Sequence, residues 1–489
     1  MSQGFAAGLA WNIAGSGARA VAQFIGGVLL ARLLGPEPFG IMAIGWIVIQ
    51  YVKLIDPGMG PALIKHPNPK QDDLRFAVTM QLSVSLLLMG LLIGFAGPCA
   101  ALMGDPSAAP IIQVLAILLP LGSFSQIGTA MLERKMQFRE VQLANLIPYV
   151  VSVLLVGLPL ALSGAGFWSL VTAVVTQALG TTVWIYLATR HPLAFKWSYS
   201  EWRSLFGFGA HASGASLANS ISTTVDQIAV SHIAGPVDLG QYNRAAGLLT
   251  APMLTITNAL AVWIFPIFAR AENPLVRRRQ FLAAVPAAAG VTAIPFAVVG
   301  GAANTVVYVV YGAGWELAAA ITQPIAFTMP ALSLLTFSST LLWSAGHVAL
   351  DHRLQWVATA AMVVGMIVSV STGGGPVELA WVVCGITWLR AGVLLGTAAR
   401  IAGCGVLAAS RTLYVIGFVA VSCGLAAHGI EEFGVTAGIS PWRLLLPLGM
   451  LIVSGCSLSW WCSCRLGAIQ ELSDIVTAWR LNVFSRHKP

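Results

Sequence analysis

Charge is what this sequence has least of. Asp, Glu, Lys and Arg together make up 9% of its 489 residues, against 57% hydrophobic residues, a balance that excludes a soluble domain and reads as a polytopic membrane protein. Cysteine is scarce as well: the seven present lack the spacing of a disulfide framework or a zinc site and are assigned no chemistry. Long connections are also missing. The longest runs about 14 residues from Arg190 to Arg203, which leaves no room for a soluble catalytic domain. No HExxH, P-loop or dinucleotide fingerprint occurs, so no catalytic residue, metal site or cofactor is expected. Met1 to Ala10 has neither a basic n-region nor a cleavage signal, and the first apolar run is expected to stay in the membrane.

What is present is a series of apolar runs of about 20 residues, the length needed to cross a bilayer. Fourteen spans are predicted, starting near residues 6, 39, 76, 111, 141, 166, 204, 245, 280, 317, 355, 377, 411 and 441. The formal charge of +8 does not point to nucleic acid, because the basic residues fall in short gaps between spans rather than on one surface. With both termini cytoplasmic, all but six of the 26 Lys and Arg residues lie inside. Arg32, Arg244 and Arg443 lie outside, and Arg19, Lys53 and Arg390 lie within spans. Such asymmetry predicts the orientation. The tail from Arg465 to Pro489 places Leu466, Ile469, Leu472, Val476 and Trp479 on one face and reads as an interfacial cytoplasmic helix.

The chain also repeats itself. Gly35-Pro36 and Gly40, after the first span, recur as Gly235-Pro236 and Gly240 after the seventh, an offset of 200. Pro120 in the fourth span corresponds to Pro330 in the tenth, the offset having drifted to 210. An even number of spans separates the copies, so the halves share one orientation about an axis along the membrane normal. Chance recurrence of Gly-Pro turns in a glycine-rich chain is the alternative. The expected domains are an N-lobe (1–203), a C-lobe (204–400), two additional spans (401–463) and the tail (464–489).

Polar stripes run along the first and seventh spans. Asn12, Ser16, Arg19 and Gln23 share one helical face, as do Ser213, Ser216, Asn219, Ser220, Thr223, Asp226 and Gln227. Small-residue helix packing accounts for the serines. It does not account for Asp226, since a charge at the bilayer centre costs about 2.5–3.5 kcal/mol on insertion scales and such residues line cavities. The stripes are therefore expected to face each other across a hydrated cavity.

In the second span Lys53 and Asp56 lie one turn apart, before a Pro57, Gly58, Gly60 break. Two readings stand: Lys53 pairs with Asp56, or it joins Arg19, at nearly the same depth, in a cationic patch suited to a phosphorylated sugar. Arg390 on the twelfth span lies near mid-depth, and Asp226 about two turns nearer the outside than Arg19. His211 reads as a core histidine, and His347, Asp351 and His352 as a solvated connection rather than a metal site.

LLGPEPFGIMAI (Leu33 to Ile44), DPGMGPALI (Asp56 to Ile64), LERKMQFRE (Leu132 to Glu140), VDQIAVSHIAGPVDLGQYNRA (Val225 to Ala245) and YGAGWELAAA (Tyr311 to Ala320) occur in this order along the chain. In them the chain resembles the Wzx-type polysaccharide and lipid-linked oligosaccharide flippases of the multidrug/oligosaccharidyl-lipid/polysaccharide exporter superfamily, in the branch that includes the colanic-acid exporter. The resemblance implies an all-α membrane protein of two six-helix lobes around a hydrophilic cavity, with two additional helices. It implies movement of undecaprenyl-pyrophosphate-linked oligosaccharide across the bacterial inner membrane, beside a polysaccharide polymerase and a chain-length regulator. The substrate would bind at Arg19, Lys53, Asn12, Ser16, Gln23, Ser216, Asn219, Thr223 and Arg390, with Asp226 and Asp56 left for gating or for coupling to a proton or sodium ion. Family members of this type with lipid II as substrate carry several arginines in the first lobe, whereas here Arg19 and Lys53 stand nearly alone. A drug or organic-cation antiporter on the same fold is the alternative, disfavoured by those two cations. A membrane-embedded polymerase or ligase lacks the large outside loop it needs, and a scaffold has no use for charge in a cavity.

Overall fold

The computed structural model describes residues 2–55, 60, 63, 71–191, 199–269, 274–404 and 406–465. Asp56, the Pro57–Gly58 break and the tail beyond Arg465 lie outside the described residues, as do the side chains of His211 and Ser216.

Helices account for almost the whole described chain, as they must where no water is available to satisfy backbone groups. Fourteen long segments follow in order: α1 (Ser2–Leu34), α2 (Pro36–Lys53), α3 (Gln71–Leu102), α4 (Pro106–Arg134), α5 (Phe138–Leu162), α6 (Trp168–Thr189), α7 (199–234), α8 (236–269), α9 (Pro274–Gly301), α10 (Glu316–Ser344), α11 (Val348–Ser371), α12 (Pro376–Ile401), α13 (Val406–Thr436) and α14 (Pro441–Arg465). Each lies where a span was predicted. Among the described residues, eleven are long and apolar enough to cross a membrane by themselves. The others are α2 and the two arms α7 and α8, which run on from each other except at Gly235. The protein is a multi-pass membrane protein.

The chain divides into two compact units, Met1–Asn243 and Arg244–Pro489. In the first, α5 packs against α1 and α6, and α4 against α3 and α6. Glycines set these distances: a Cβ on Gly180 would lie 2.9 Å from the Pro148 ring, and Ile185 fills the space beside Gly128. Hydroxyls stitch the same interfaces, Ser125 to Thr182 at 2.8 Å and Thr181 to the Ala144 carbonyl at 2.9 Å. Pro148 sits inside α5, and one π-turn follows at Val153–Gly157, directly ahead of Pro159, which has no backbone donor.

In the second unit α9 is central, packed against α10, α13 and α14. Gly301 of α9 meets the Gly424 carbonyl of α13, and a Cβ on Gly455 of α14 would lie 2.7 Å from the Cys423 sulfur and 2.9 Å from Ile294. Small residues at such crossings let helix backbones touch, the packing that replaces hydrophobic drive inside lipid. Helices α13 and α14 are thereby built into the same buried cluster as Phe281, Phe337 and Leu394.

Candidate functional site

The first unit holds both Gly-Pro turns. Gly35 has φ 72° and ψ −173°, Gly235 φ 77° and ψ −174°. This conformation is open to glycine and strained for other residues, and the following Pro36 and Pro236 suit the first position of a helix that needs no donor there. The similarity extends beyond the backbone: residues 30–42 and 230–242 run through the same sequence of buried, half-buried and exposed positions. The two turns then meet. A Cβ on Gly40 would collide with the Pro236 carbonyl and lie 3.0 Å from the Gly240 nitrogen, while a Cβ on Gly240 would collide with the Pro36 carbonyl and lie 2.9 Å from the Gly40 nitrogen.

Below that crossing α7 is fastened to the rest of the unit. The Ser231 hydroxyl donates to the Met103 carbonyl at 2.5 Å. About 16 Å below Gly235, taking 1.5 Å per residue, the Thr224 hydroxyl is 2.7 Å from that of Tyr51 on α2. Asp226 faces the α8 arm of its own hairpin, accepting from the Tyr242 hydroxyl at 2.8 Å, and Gln227 accepts from the Asn243 amide at 3.2 Å. Both pairs span sixteen residues and close the angle at Gly235.

The residues of the expected stripes take different positions. Ser16, Gln23, Asn219 and Thr223 are exposed and Arg19 is half-buried. Asn12 is turned toward α5, where its side-chain oxygen accepts from Gln142 at 2.7 Å. Lys53, the last residue of α2, passes 5.9 Å above the Trp46 ring. It lines a cavity of about 210 Å³ inside the first unit together with Gln81, Ser85, Ser123 and Gln126. Arg19 is not among the residues lining that cavity. Sequence reasoning missed these four polar residues of α3 and α4, and also Tyr51 and Tyr242.

In the second unit Arg390 is half-buried on α12. Asp351 corrects the expectation of a solvated connection, for it is only 4% exposed. Helix α11 begins at Val348, so Asp351 lies on its first turn, where it accepts from the Ser339 hydroxyl at 3.1 Å and the Trp343 indole at 2.8 Å. His347 and His352 are exposed. Among the described residues no group of three His, Cys, Asp or Glu side chains could hold a metal ion. A second cavity, about 690 Å³, lies between the short helix Ala303–Tyr311 and α13. Glu431 lines it and accepts from Asn304 and from the Thr305 backbone nitrogen.

Residues 29–320 match the model of a family described as polysaccharide biosynthesis protein. The chain is similar to the succinoglycan biosynthesis transport protein ExoT of Rhizobium meliloti (strain 1021), 28% identical over 261 residues that cover 53% of each chain. It is also similar to the lipopolysaccharide biosynthesis protein WzxC of Escherichia coli (strain K12), 20% identical over 59% of each. The chain thus spans little more than half the length of these relatives. Its fold is shared with an inward closed conformation of the lipid II flippase MurJ, TM-score 0.73 at 11% identity over 94% of this chain and 98% of that one. An inward-facing multidrug resistance transporter of the MATE family, of the MOP superfamily, gives 0.64 at 16% identity over 81% and 96%.

Proposed function

Because the chain belongs to the polysaccharide biosynthesis protein family, we propose that it is a flippase carrying undecaprenyl-pyrophosphate-linked oligosaccharide across the bacterial inner membrane by alternating access, without catalysing a reaction. The observation that carries this reading is the Lys53 cavity: an ammonium and four neutral polar side chains gathered inside otherwise apolar helices. A cation held within a membrane span is costly and is retained where a polar solute must pass. Arg19, half-buried on α1, adds a permanently charged planar donor that suits phosphate oxygens. Arg390, the exposed polar residues of α1 and α7, and Ser216 supply further contacts to the glycan. Asp226 and Asp56 act in gating or in coupling to a proton or sodium ion. The lipid tail stays in the bilayer, and both termini face the cytoplasm.

The cation argues against a drug or organic-cation antiporter, for which the MATE-like fold is otherwise suitable. Complementation of a flippase-null strain tests the proposal: Arg19→Ala should abolish polymer export, Arg19→Lys should restore it only in part, and the Arg19→Ala, Lys53→Ala double variant should export none. Normal polymer output from a stably expressed double variant would overturn the reading. Orientation is tested separately by cysteine labelling, where reaction beside Arg277 with an impermeant reagent from the periplasm would reverse it.

A further inference from the structure

The cavity of the second unit, about 690 Å³, has no part in the transport reading. It lies among helix ends: the short helix Ala303–Tyr311, the turn at Gly312 that leads into α10, the last turns of α13, and Pro441 at the start of α14. Its volume falls in the range of small-molecule sites, about 300–1,000 Å³. Trp315 and Glu431 form its closed side, being 2% and 4% exposed, whereas Tyr308 at the rim is 49% exposed. The Tyr311 ring, 5.0 Å away, holds the Trp315 indole in place.

Three of the chain's 18 acidic residues, Glu316, Glu431 and Glu432, meet in this one cavity, and no Lys or Arg is among the described residues that line it. A helix dipole accounts for Glu316, on the first turn of α10, where it accepts from the Gly314 backbone nitrogen at 3.0 Å. It does not account for Glu431 and Glu432, which lie toward the C-terminal end of α13, where the dipole gives a carboxylate no support. Glu431 is offset in part, because it accepts from the Thr305 backbone nitrogen at the start of the short helix and from the Asn304 amide. Both donors are neutral, so a buried carboxyl is left without a full counter-charge. Among the described residues the counter-charge beside Glu432 is His428, at 3.5 Å, and it acts only while the imidazole is protonated.

The walls set the class of ligand. An oxyanion is repelled, and a neutral glycan leaves the charge unanswered. A bare metal ion lacks ligands, since no group of three His, Cys, Asp or Glu side chains among the described residues could hold one. An organic ammonium fits, because the carboxylates answer its charge while the faces of Trp315 and Tyr308 attract the cation and cover the carbon beside it. We propose that this cavity binds an organic ammonium cation, with its charge toward Glu431 and Glu432, its carbon chain along Trp315 and Tyr308, and Glu316 at the mouth. The cavity opens among helix ends, so its occupant is a resident ligand and not cargo crossing the bilayer. A soluble polyamine and the head group of an aminophospholipid present the same chemistry.

The full chain in neutral maltoside detergent tests the site, by calorimetric titration with spermidine, dihexanoyl phosphatidylethanolamine and dihexanoyl phosphatidylglycerol. Spermidine or the phosphatidylethanolamine should bind, more weakly as salt rises, and the phosphatidylglycerol should not. The tighter of the two amines identifies the source. Glu316→Gln and Glu432→Gln change exposed side chains and should each weaken binding several-fold, the double variant about tenfold or more. Tyr308→Ala should weaken it several-fold and Tyr308→Phe should restore it, as expected for an aromatic face. Glu431→Gln should abolish it, and is compared only where its melting temperature matches that of the parent chain. Glu37→Gln, at an exposed acid outside the cavity, should leave it unchanged. Failure of the parent chain to bind either amine, equal binding of phosphatidylglycerol, or undiminished binding by the Glu316→Gln, Glu432→Gln double variant would each overturn the site. The titrations read this cavity whatever solute the chain carries.

Discussion

The hairpin at Gly35 and the hairpin at Gly235 share a backbone conformation and a burial pattern, yet the polar side chains along their arms differ, with Lys53 at the end of one and Asp226 midway along the other. In the first, the position 200 residues before Asp226 is Gly26, and the Tyr149 hydroxyl of α5 occupies the space that its side chain would need. That hydroxyl donates to the Gln23 carbonyl at 3.3 Å. In the second, Asp226 is present and also meets a tyrosine hydroxyl, from Tyr242 of its own hairpin at 2.8 Å. Gly26 and Asp226 thus each lie against a tyrosine, whose hydroxyl bonds the Gln23 backbone carbonyl in one hairpin and the Asp226 carboxyl in the other. The acid of the second hairpin is tied into its own turn. Lys53, at the end of the first, lines a cavity. Turn geometry and packing tolerate little change because backbone meets backbone at the crossing, whereas the side chains further down the arms are free to specialise.

The largest effect should come from breaking what the two hairpins share. Gly40→Val or Gly240→Val drives a side chain into the opposite Pro carbonyl, and since backbone rather than a flexible side chain must give way, each should cost about 3 kcal/mol or more. Because the contact is reciprocal, the two losses should be nearly equal, which thermal unfolding of the purified variants measures. A clear inequality would show that the crossing is not symmetric in energy.

A smaller effect separates the two hairpins. Tyr242→Phe removes a bond to a carboxyl and should cost about 1.5–3 kcal/mol, whereas Tyr149→Phe removes a long bond to a backbone carbonyl and should cost about 0.5 kcal/mol. A double-mutant cycle of Tyr242→Phe with Asp226→Asn isolates the coupling. Equal losses for the two tyrosines would remove the distinction drawn between the hairpins.

The smallest effect is a control in the same unit but outside both hairpins. His191 follows α6, is 2% exposed, and packs on Phe124 at 4.6 Å and Tyr186 at 5.4 Å, with Nδ1 2.8 Å from the Thr189 hydroxyl. Burial holds its pKa below the ordinary 6.5. The unfolded chain therefore binds the proton more readily, so stability is level above about pH 6.5 and falls as pH drops through 6.5 toward the folded value. His191→Phe should flatten that slope in melting curves taken between about pH 5 and 7.5. An unchanged slope would place the pH sensitivity elsewhere, the hairpins included.

Much of the fold could be read from the sequence because a bilayer imposes length and hydropathy on each span independently. Leu33 to Ile44 and Val225 to Ala245 announce their turns through Gly-Pro and the glycine five residues on. The site was legible only in part. Lys53 stood out as a charge in an apolar run, but Gln81 and Gln126 are single amides 45 residues apart on different helices, and no periodicity links them. Asn12 looked like part of the α1 stripe, since helical spacing shows which residues share a face and not whether Gln142 waits beside one of them. Asp351 looked exposed because it lies near a short connection, but Ser339 and Trp343 of the preceding helix enclose it.

The sequence by itself determined that this chain is helical, spans a membrane many times, and turns at Gly35 and Gly235. Each of those follows from local requirements: backbone hydrogen bonds satisfied within a segment, an apolar length matched to lipid, and a positive φ that only glycine adopts without strain. Tertiary structure alone decided that Gly40 and Gly240 touch, that Asp226 is held by Tyr242, and that Lys53 shares a cavity with Gln81, Ser123 and Gln126. Those pairings join residues on different helices, and a polar group inside a membrane takes its partner from whichever helix packs beside it.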